Sequence, residues 1–264
     1  MAAPETTLII RADGAEIRGR PRATESGIFV AKDGVIGIDD GAEVRRESIP
    51  RPGERGEFDL AVFSGARVVS IDLHVIAYSM TELRALRSQL KRVGQGGRRF
   101  LVEIDHLGDT VSGWARRGGQ ITFRDSGKRH GRHYAKAFVQ WVFPDPILVG
   151  RMRSTVRAGS IRISHKGDAP IAPLIDVYGP FPNGYTITAA GLGQVVVTTA
   201  LPAGAMETVD VGASRVYRNG VRVLGAISYP GRWEIPGGEL GVVHSVTGAG
   251  GTGTIQGRIY DAYE

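Results

Sequence analysis

The chain has 264 residues, no cysteine, and a formal net charge of +6 from 33 basic and 27 acidic side chains. That length allows one large domain or two ordinary ones, with a core large enough to need no covalent staple. The missing cysteines exclude disulfides and thiolate metal sites, and the basic excess is scattered in arginine pairs such as Arg45-Arg46, Arg98-Arg99 and Arg116-Arg117, which reads as solvated loop charge rather than a nucleic-acid stripe.

Met1–Thr7 carries no basic region followed by an apolar run, so no leader is expected. No stretch approaches the ~18–20 apolar residues of a membrane span. Residues 1–56 alternate short apolar runs (Leu8-Ile9-Ile10, Gly27-Ile28-Phe29-Val30, Val35-Ile36-Gly37-Ile38) with Lys32-Asp33-Gly34 and Asp39-Asp40-Gly41. Asp-Gly between apolar runs predicts hairpin turns, because both residues tolerate positive φ. Two prolines make Ile49–Gly56 a loop.

Phe58–Phe63 is a candidate strand. In Arg67–Ala77, Val69, Ile71, Leu73, Val75 and Ala77 share one face while Ser70, Asp72 and His74 share the other, the period-two pattern of a strand with one face in a core. A helix over 79–93 follows. Ser79 and Glu82 form a Ser-x-x-Glu capping box, and Met80, Leu83, Leu86, Leu90 and Val93 make one apolar stripe. Basic residues crowd its last turn, and Gly94 is placed to end it. Strands resume at Phe100–Asp105, Val111–Ala115 and Gln120–Arg124. A loop, Asp125–Gly131, leads to a long strand, His133–Phe143, with Ala135, Ala137, Val139, Trp141 and Phe143 on one face. Pro144 and Pro146 end that ladder.

Two modules follow from this order, 1–148 and 149–264. Residues 147–165 read as a connector becoming a strand. Short strands then recur at Leu174–Tyr178, Tyr185–Ala189, Val195–Thr199, Thr208–Val211, Arg215–Tyr217, Leu240–Val246 and Thr254–Tyr260. Turn signals at Pro182-Asn183-Gly184, Asn219-Gly220 and Pro236-Gly237-Gly238 separate them, the spacing of a β-sandwich. The tract Gly248–Gly253 is expected to be a flexible hairpin tip.

No catalytic constellation emerges. His130, His133 and His165 would be a conceivable zinc set, but the first two lie in a basic segment without a supporting motif. Ser126-Gly127-Lys128 fails the phosphate-loop pattern at Thr122 and Arg129. Asp105-His106 with Asp109 lacks a nucleophilic serine in the right context. Tyr217, Tyr229 and Trp233 are aromatics of the second half that either pack in its core or stack on sugars. No catalytic, cofactor-binding or metal residue is assigned.

The layout resembles the distal tail protein family of long-tailed, non-contractile bacteriophages (the siphovirus tail component). The resemblance rests on the run Phe58 through Arg67–Ala77 into the helix, on the aromatic strand ending in Pro144-Asp145-Pro146, and on a progression in the second half. That progression is Leu201-Pro202-Ala203-Gly204, Val209-Asp210, Tyr217-Arg218-Asn219-Gly220, Trp233, Ile235-Pro236-Gly237-Gly238 and a last strand Thr254–Tyr260.

It implies a mainly β protein, with an N-terminal ring-forming β-sandwich carrying one helix and a C-terminal galectin-like β-sandwich. It also implies a non-enzymatic virion protein, made in the bacterial host cytoplasm and built into the tail tip as a homohexameric ring. The implied partners are the tail tube protein, the tape-measure protein and a tail-associated fibre or lysin. DNA would pass through the ring without specific binding, and no membrane or cofactor is involved. On this expectation Arg45-Arg46 and Arg116-Arg117 face outward or into neighbouring tail proteins. The alternative reading is a carbohydrate-binding module for host cell-wall glycans, with Tyr229 or Trp233 as its aromatic platform.

Overall fold

The computed structural model describes residues 7–21, 24–58, 60, 63–106 and 108–264. Met1–Thr6 and half of the candidate strand Phe58–Phe63 lie outside them. The fold is mainly β, as expected, with one α-helix among the described residues. The chain divides into two compact units, one ending at Leu148 and one running Val149–Tyr263.

In the first unit the strands are β1 (Ile9–Ala12), β2 (Ala15–Arg18), β3 (Gly27–Ile36), β4 (Val44–Arg45), β5 (Phe63–Ser64), β6 (Arg67–Ala77), β7 (Phe100–His106), β8 (Asp109–Arg117), β9 (Thr122–Arg129) and β10 (Arg132–Phe143), with α1 (Met80–Arg92) between β6 and β7. β4 and β5 pair with each other, and the others join in the order β8-β7-β1-β2-β3-β6-β10-β9. A further pairing of β10 with β8, Trp141 opposite Arg117 and Val142 opposite Arg116, joins the two ends of this series, and β9, paired with β10 alone among the described residues, is an edge. The alternation read in β6 and β10 holds residue by residue. Val69, Ile71, Leu73, Val75, Ala77, Ala135, Ala137, Val139, Trp141 and Phe143 are all buried in one core, each large aliphatic contributing about 1.5–3 kcal/mol of burial.

The helix begins as the capping box predicts, with one shift. Glu82 N donates to Ser79 Oγ (3.1 Å), but the Glu82 carboxylate accepts from Tyr78 N (2.7 Å), one residue before the cap. Leu83, Leu90 and Val93 are buried, Leu86 packs against the core, and Met80 at the start of the stripe is exposed. At the other end Gly94 takes φ 60°, and a Cβ there would lie 2.6 Å from the Phe100 ring, so glycine is required twice over.

One expected turn and one expected loop lie largely within strands. Asp33-Gly34 sits inside β3, where pairing with β6 jumps from Val30–Leu73 to Val35–Ile71. The left-handed Asp33 (φ 53°) thus forms a bulge instead of reversing the chain. The expected loop Asp125–Gly131 is mostly strand, because the two left-handed residues His130 (φ 48°) and Gly131 (φ 79°) suffice to close the β9–β10 hairpin.

The second unit contains β11 (Leu148–Ser154), β12 (Ser160–His165), β13 (Leu174–Tyr178), β14 (Tyr185–Ala189), β15 (Gly193–Val197), β16 (Met206–Asp210), β17 (Arg215–Arg218), β18 (Val221–Arg222), β19 (Ile227–Tyr229), β20 (Gly238–Thr247) and β21 (Thr254–Tyr263). One sheet runs β18-β17-β16-β13-β21-β11 and the other β12-β20-β14-β15-β19. Their inward residues, among them Ile163, Ile175, Val177, Ile187, Val195 and Val209, share one core, which makes the unit a sandwich. The tract Gly248–Gly253 is no hairpin tip, since β20 and β21 belong to different sheets. It carries the chain from one sheet to the other across Phe181. A Cβ on Gly248 would lie 2.6 Å from that ring, and Gly251 and Gly253 approach it still more closely.

Candidate binding surfaces

The side chains suspected of chemistry are mostly committed to holding strands together. Asp105 accepts from Thr110 Oγ1 (2.6 Å) and Arg11 Nη1 (2.7 Å) across neighbouring strands. Those two bonds, Thr110's foremost, hold its carboxyl below the usual range. His106 Nδ1 lies 3.3 Å from Asp39. His130 is the hairpin residue described above, and His133 pairs with Ala77 and Lys128 in the ladder. His165 belongs to the second unit, buried with Nε2 3.2 Å from the Ile235 carbonyl. Among the described residues no group of three or more His, Asp or Glu side chains is arranged to hold a metal ion. Ser126-Gly127-Lys128 is part of β9, where Gly127 N bonds its neighbour Asp125 (2.8 Å) rather than cradling an anion.

The arginine pairs divide. Arg116 is exposed and Arg46 faces Glu57 at 3.2 Å on the surface. Arg117, expected to face outward or into a neighbour, instead turns to α1. Its Nε donates to the Val93 carbonyl (3.1 Å) and its Nη2 to the Lys91 carbonyl (2.7 Å). The physical reason is that the last carbonyls of a helix lack partners and carry negative partial charge, which a guanidinium satisfies better than water does. Arg67, the first residue of β6, is buried. Its Nη1 bonds the carbonyls of Gly37, Ile38 and Asp40 (2.8–3.1 Å) and its Nε that of Pro146 (2.9 Å).

The second unit holds three carboxylates buried against arginines, which no local pattern announces. Glu207 reaches between the sheets, accepting from Tyr185 Oη (2.8 Å) and from Arg218 (2.6 Å). Burial, and then the neighbouring Glu207 charge, push the Tyr185 hydroxyl far above its ordinary range. Asp176 takes a two-pronged bond from Arg258 (2.6 and 2.7 Å) and one from Thr208 (2.6 Å). Asp261 would be pushed up by burial, but Arg153 and the Lys166 amide hold it below the usual carboxylate range.

The aromatics separate as well. Trp233 is buried, its Nε1 donating to His244 Nε2 (3.0 Å), and so offers no stacking surface. Tyr217 is half-buried. Tyr229 is 56% exposed. It borders an open groove of about 620 Å³ lined by Thr188, Leu192, Gln194, Arg232 and the backbone of Gly191, Gly193 and Gly231. In the first unit a recess of about 410 Å³ lies at the β1–β2 turn. Its Arg11 is already held by Asp105 and Glu16.

No family model matches the sequence, and no curated protein matches it. In three dimensions the chain is similar to the Dit protein (gp 19.1) of phage SPP1, described as a paradigm of the hub adsorption apparatus in phages infecting Gram-positive bacteria. The likeness covers 97% of this chain and 99% of that one, with a TM-score of 0.71 and 15% identity. A weaker likeness, TM-score 0.47 at 8% identity over 96% of this chain and 97% of the other, is to the baseplate of phage P2 in its activated conformation with calcium. The first likeness establishes a shared fold, from the first described strand to the last.

Proposed function

We propose that this chain is a non-enzymatic structural protein of a bacteriophage tail tip, a distal tail protein that closes into a ring joining the tail tube to the host-recognition apparatus. The observation that carries this reading is the whole-chain likeness to a hub protein of an adsorption apparatus. Fold alone is a weak warrant for function, but the construction of the molecule supports a load-carrying role. The first unit is a closed sheet plugged by a helix. The buried carboxylates of the second all tie one strand to another.

The ring is a homohexamer built through the first unit, residues 1–148, and the second, residues 149–264, is a galectin-like sandwich. A closed ring needs a heterologous interface, two different patches of each subunit meeting. The exposed β9 edge, with its unpaired backbone groups, is a natural half of it. The neighbours are the tail tube protein, the tape-measure protein and a fibre or lysin, and DNA passes through without specific recognition. The protein is made in the bacterial cytoplasm and works in the virion.

Light scattering coupled to size exclusion tests the ring, with negative-stain images to show closure. A closed particle of six copies is expected. A chain that stays monomeric at its highest soluble concentration, and that also fails to join purified tail tubes, would refute the reading.

A further inference from the structure

The outer face of the five-stranded sheet of the second unit has an unusual make-up. Cross-strand partners there point the same way, and they fall into two rows. One row is Ser160, Ser245, Thr188 and Gln194; the other is Thr247, Thr186, Val196 and Tyr229. Both rows consist of hydroxyl, amide, one valine and one aromatic side chain, without a carboxylate. They end at the groove beside Tyr229. The groove floor is backbone, because Gly231 sits against Gln194 so closely that no Cβ fits, and Gly193 lies over the Trp233 ring, 3.5 Å from where its Cβ would be. The bond from Trp233 to His244 locks that ring beneath the floor. Among the described residues, the side chains of Thr188, Gln194, Tyr229 and Arg232 have no hydrogen-bond or ion-pair partner within the chain.

We infer that this groove, continued by the hydroxyl rows, binds a saccharide chain that bears an anionic substituent. A sugar ring presents a C–H face and a rim of hydroxyls. Tyr229 supplies an exposed aromatic face for the first, and Thr188 and Gln194 supply donors and acceptors for the second. Arg232 is the only charged group lining the groove, and its planar fork suits a carboxylate or phosphate. A volume of about 620 Å³ is in the range of small-ligand sites. The groove is open at its sides, which suits a polymer that enters and leaves, and a rigid backbone floor lowers the ordering cost of binding. Binding here requires no ring, and a ring requires no binding here.

The test uses the full chain and isothermal titration with maltohexaose, N-acetylchitohexaose, hexagalacturonate and inorganic phosphate, each to about 10 mM, since an open groove with one aromatic is a weak site. Hexagalacturonate should bind most tightly, at least one neutral hexasaccharide detectably, and phosphate alone no better than either. Tyr229→Ala should weaken every saccharide by about tenfold or more, and Arg232→Gln should reduce hexagalacturonate to the level of the neutral chains while leaving those unchanged. Both positions are exposed, and an unchanged melting temperature will confirm that the variants fold. No saturable binding of any saccharide, binding indifferent to Tyr229→Ala, or phosphate binding without saccharide binding would each overturn the assignment.

Discussion

The two units bury different things. Among the described residues, Arg67 is the one buried ionisable side chain of the first, and it is met by backbone carbonyls; the rest of that core is apolar. The second buries Asp176, Glu207, Asp261, His165 and His244. The difference follows from how each unit sets its register. Long strands such as β6 and β10 pair over eleven consecutive residues, and a one-residue slip would turn the whole apolar set outward. Strands such as β16 and β17 pair over four, which specifies register weakly. Carboxylate–arginine pairs add little net stability, but any register that separates them leaves a buried charge unpaired. The short-strand unit therefore uses buried ions where the long-strand unit uses pattern.

The sharpest way to break this contrast is to remove one partner of an ion pair. Glu207→Ala leaves the Tyr185 hydroxyl buried and Arg218 without its carboxylate. It should cost about 3–5 kcal/mol, and urea unfolding followed by circular dichroism measures it. A loss under 1 kcal/mol, on the order of a surface pair, would show that the cluster is ornamental. In the first unit Arg67→Met should cost about 1.5–3 kcal/mol, the worth of charged hydrogen bonds, and should loosen residues 37–40 first, which amide exchange would detect. Gly94→Ala forces a left-handed alanine against Phe100 and should cost about 1–3 kcal/mol. Ser79→Ala, which removes only the helix cap, should cost about 1 kcal/mol.

How much was legible in the sequence depended on local period rather than on the unit. Strands β6, β13 and β14 and the helix were legible nearly to the residue, because burial of one face writes a period of two or 3.6 into the chain. The β3 bulge was not, since Asp-Gly reports only that positive φ is tolerated, and the choice between reversing and bulging is made by the facing strand. The path of Gly248–Gly253 was hidden for a related reason: glycine marks both free turns and close packing, and only Phe181 beneath it decides. The short β18 and β19 carry too few residues for a period. The Glu207, Asp176 and Asp261 pairs join residues 11 to 108 apart, a distance over which no local pattern speaks. Of the candidate groove, Tyr229 was legible as one of two possible platforms, but its exposure and the burial of Trp233 were not. Arg232 and Gln194 gave no signal, because nothing in a sequence distinguishes an unpartnered polar side chain from a paired one.

The smallest expected effect concerns acid. His244 is buried, with Nδ1 facing the Val242 carbonyl (3.0 Å) and Nε2 accepting from Trp233, so the neutral ring with its proton on Nδ1 is the form that fits. Burial holds its pKa below the ordinary histidine value, outweighing the upward pull of the Val242 carbonyl. In the unfolded chain the same imidazole takes up a proton as pH falls below about 6.5, whereas in the fold it resists. Between those two values the unfolded state holds more protons, so stability is fully present above about 6.5 and declines as pH drops toward the folded value. The decline from one group is at most about 1.4 kcal/mol per pH unit. Thermal melts of the wild type from pH 7 to pH 5 should therefore fall more steeply than those of His244→Gln, whose amide oxygen still accepts from Trp233 but takes no proton in this range. Parallel slopes for the two proteins would show that the Trp233–His244 bond survives protonation or that the ring finds water in the fold.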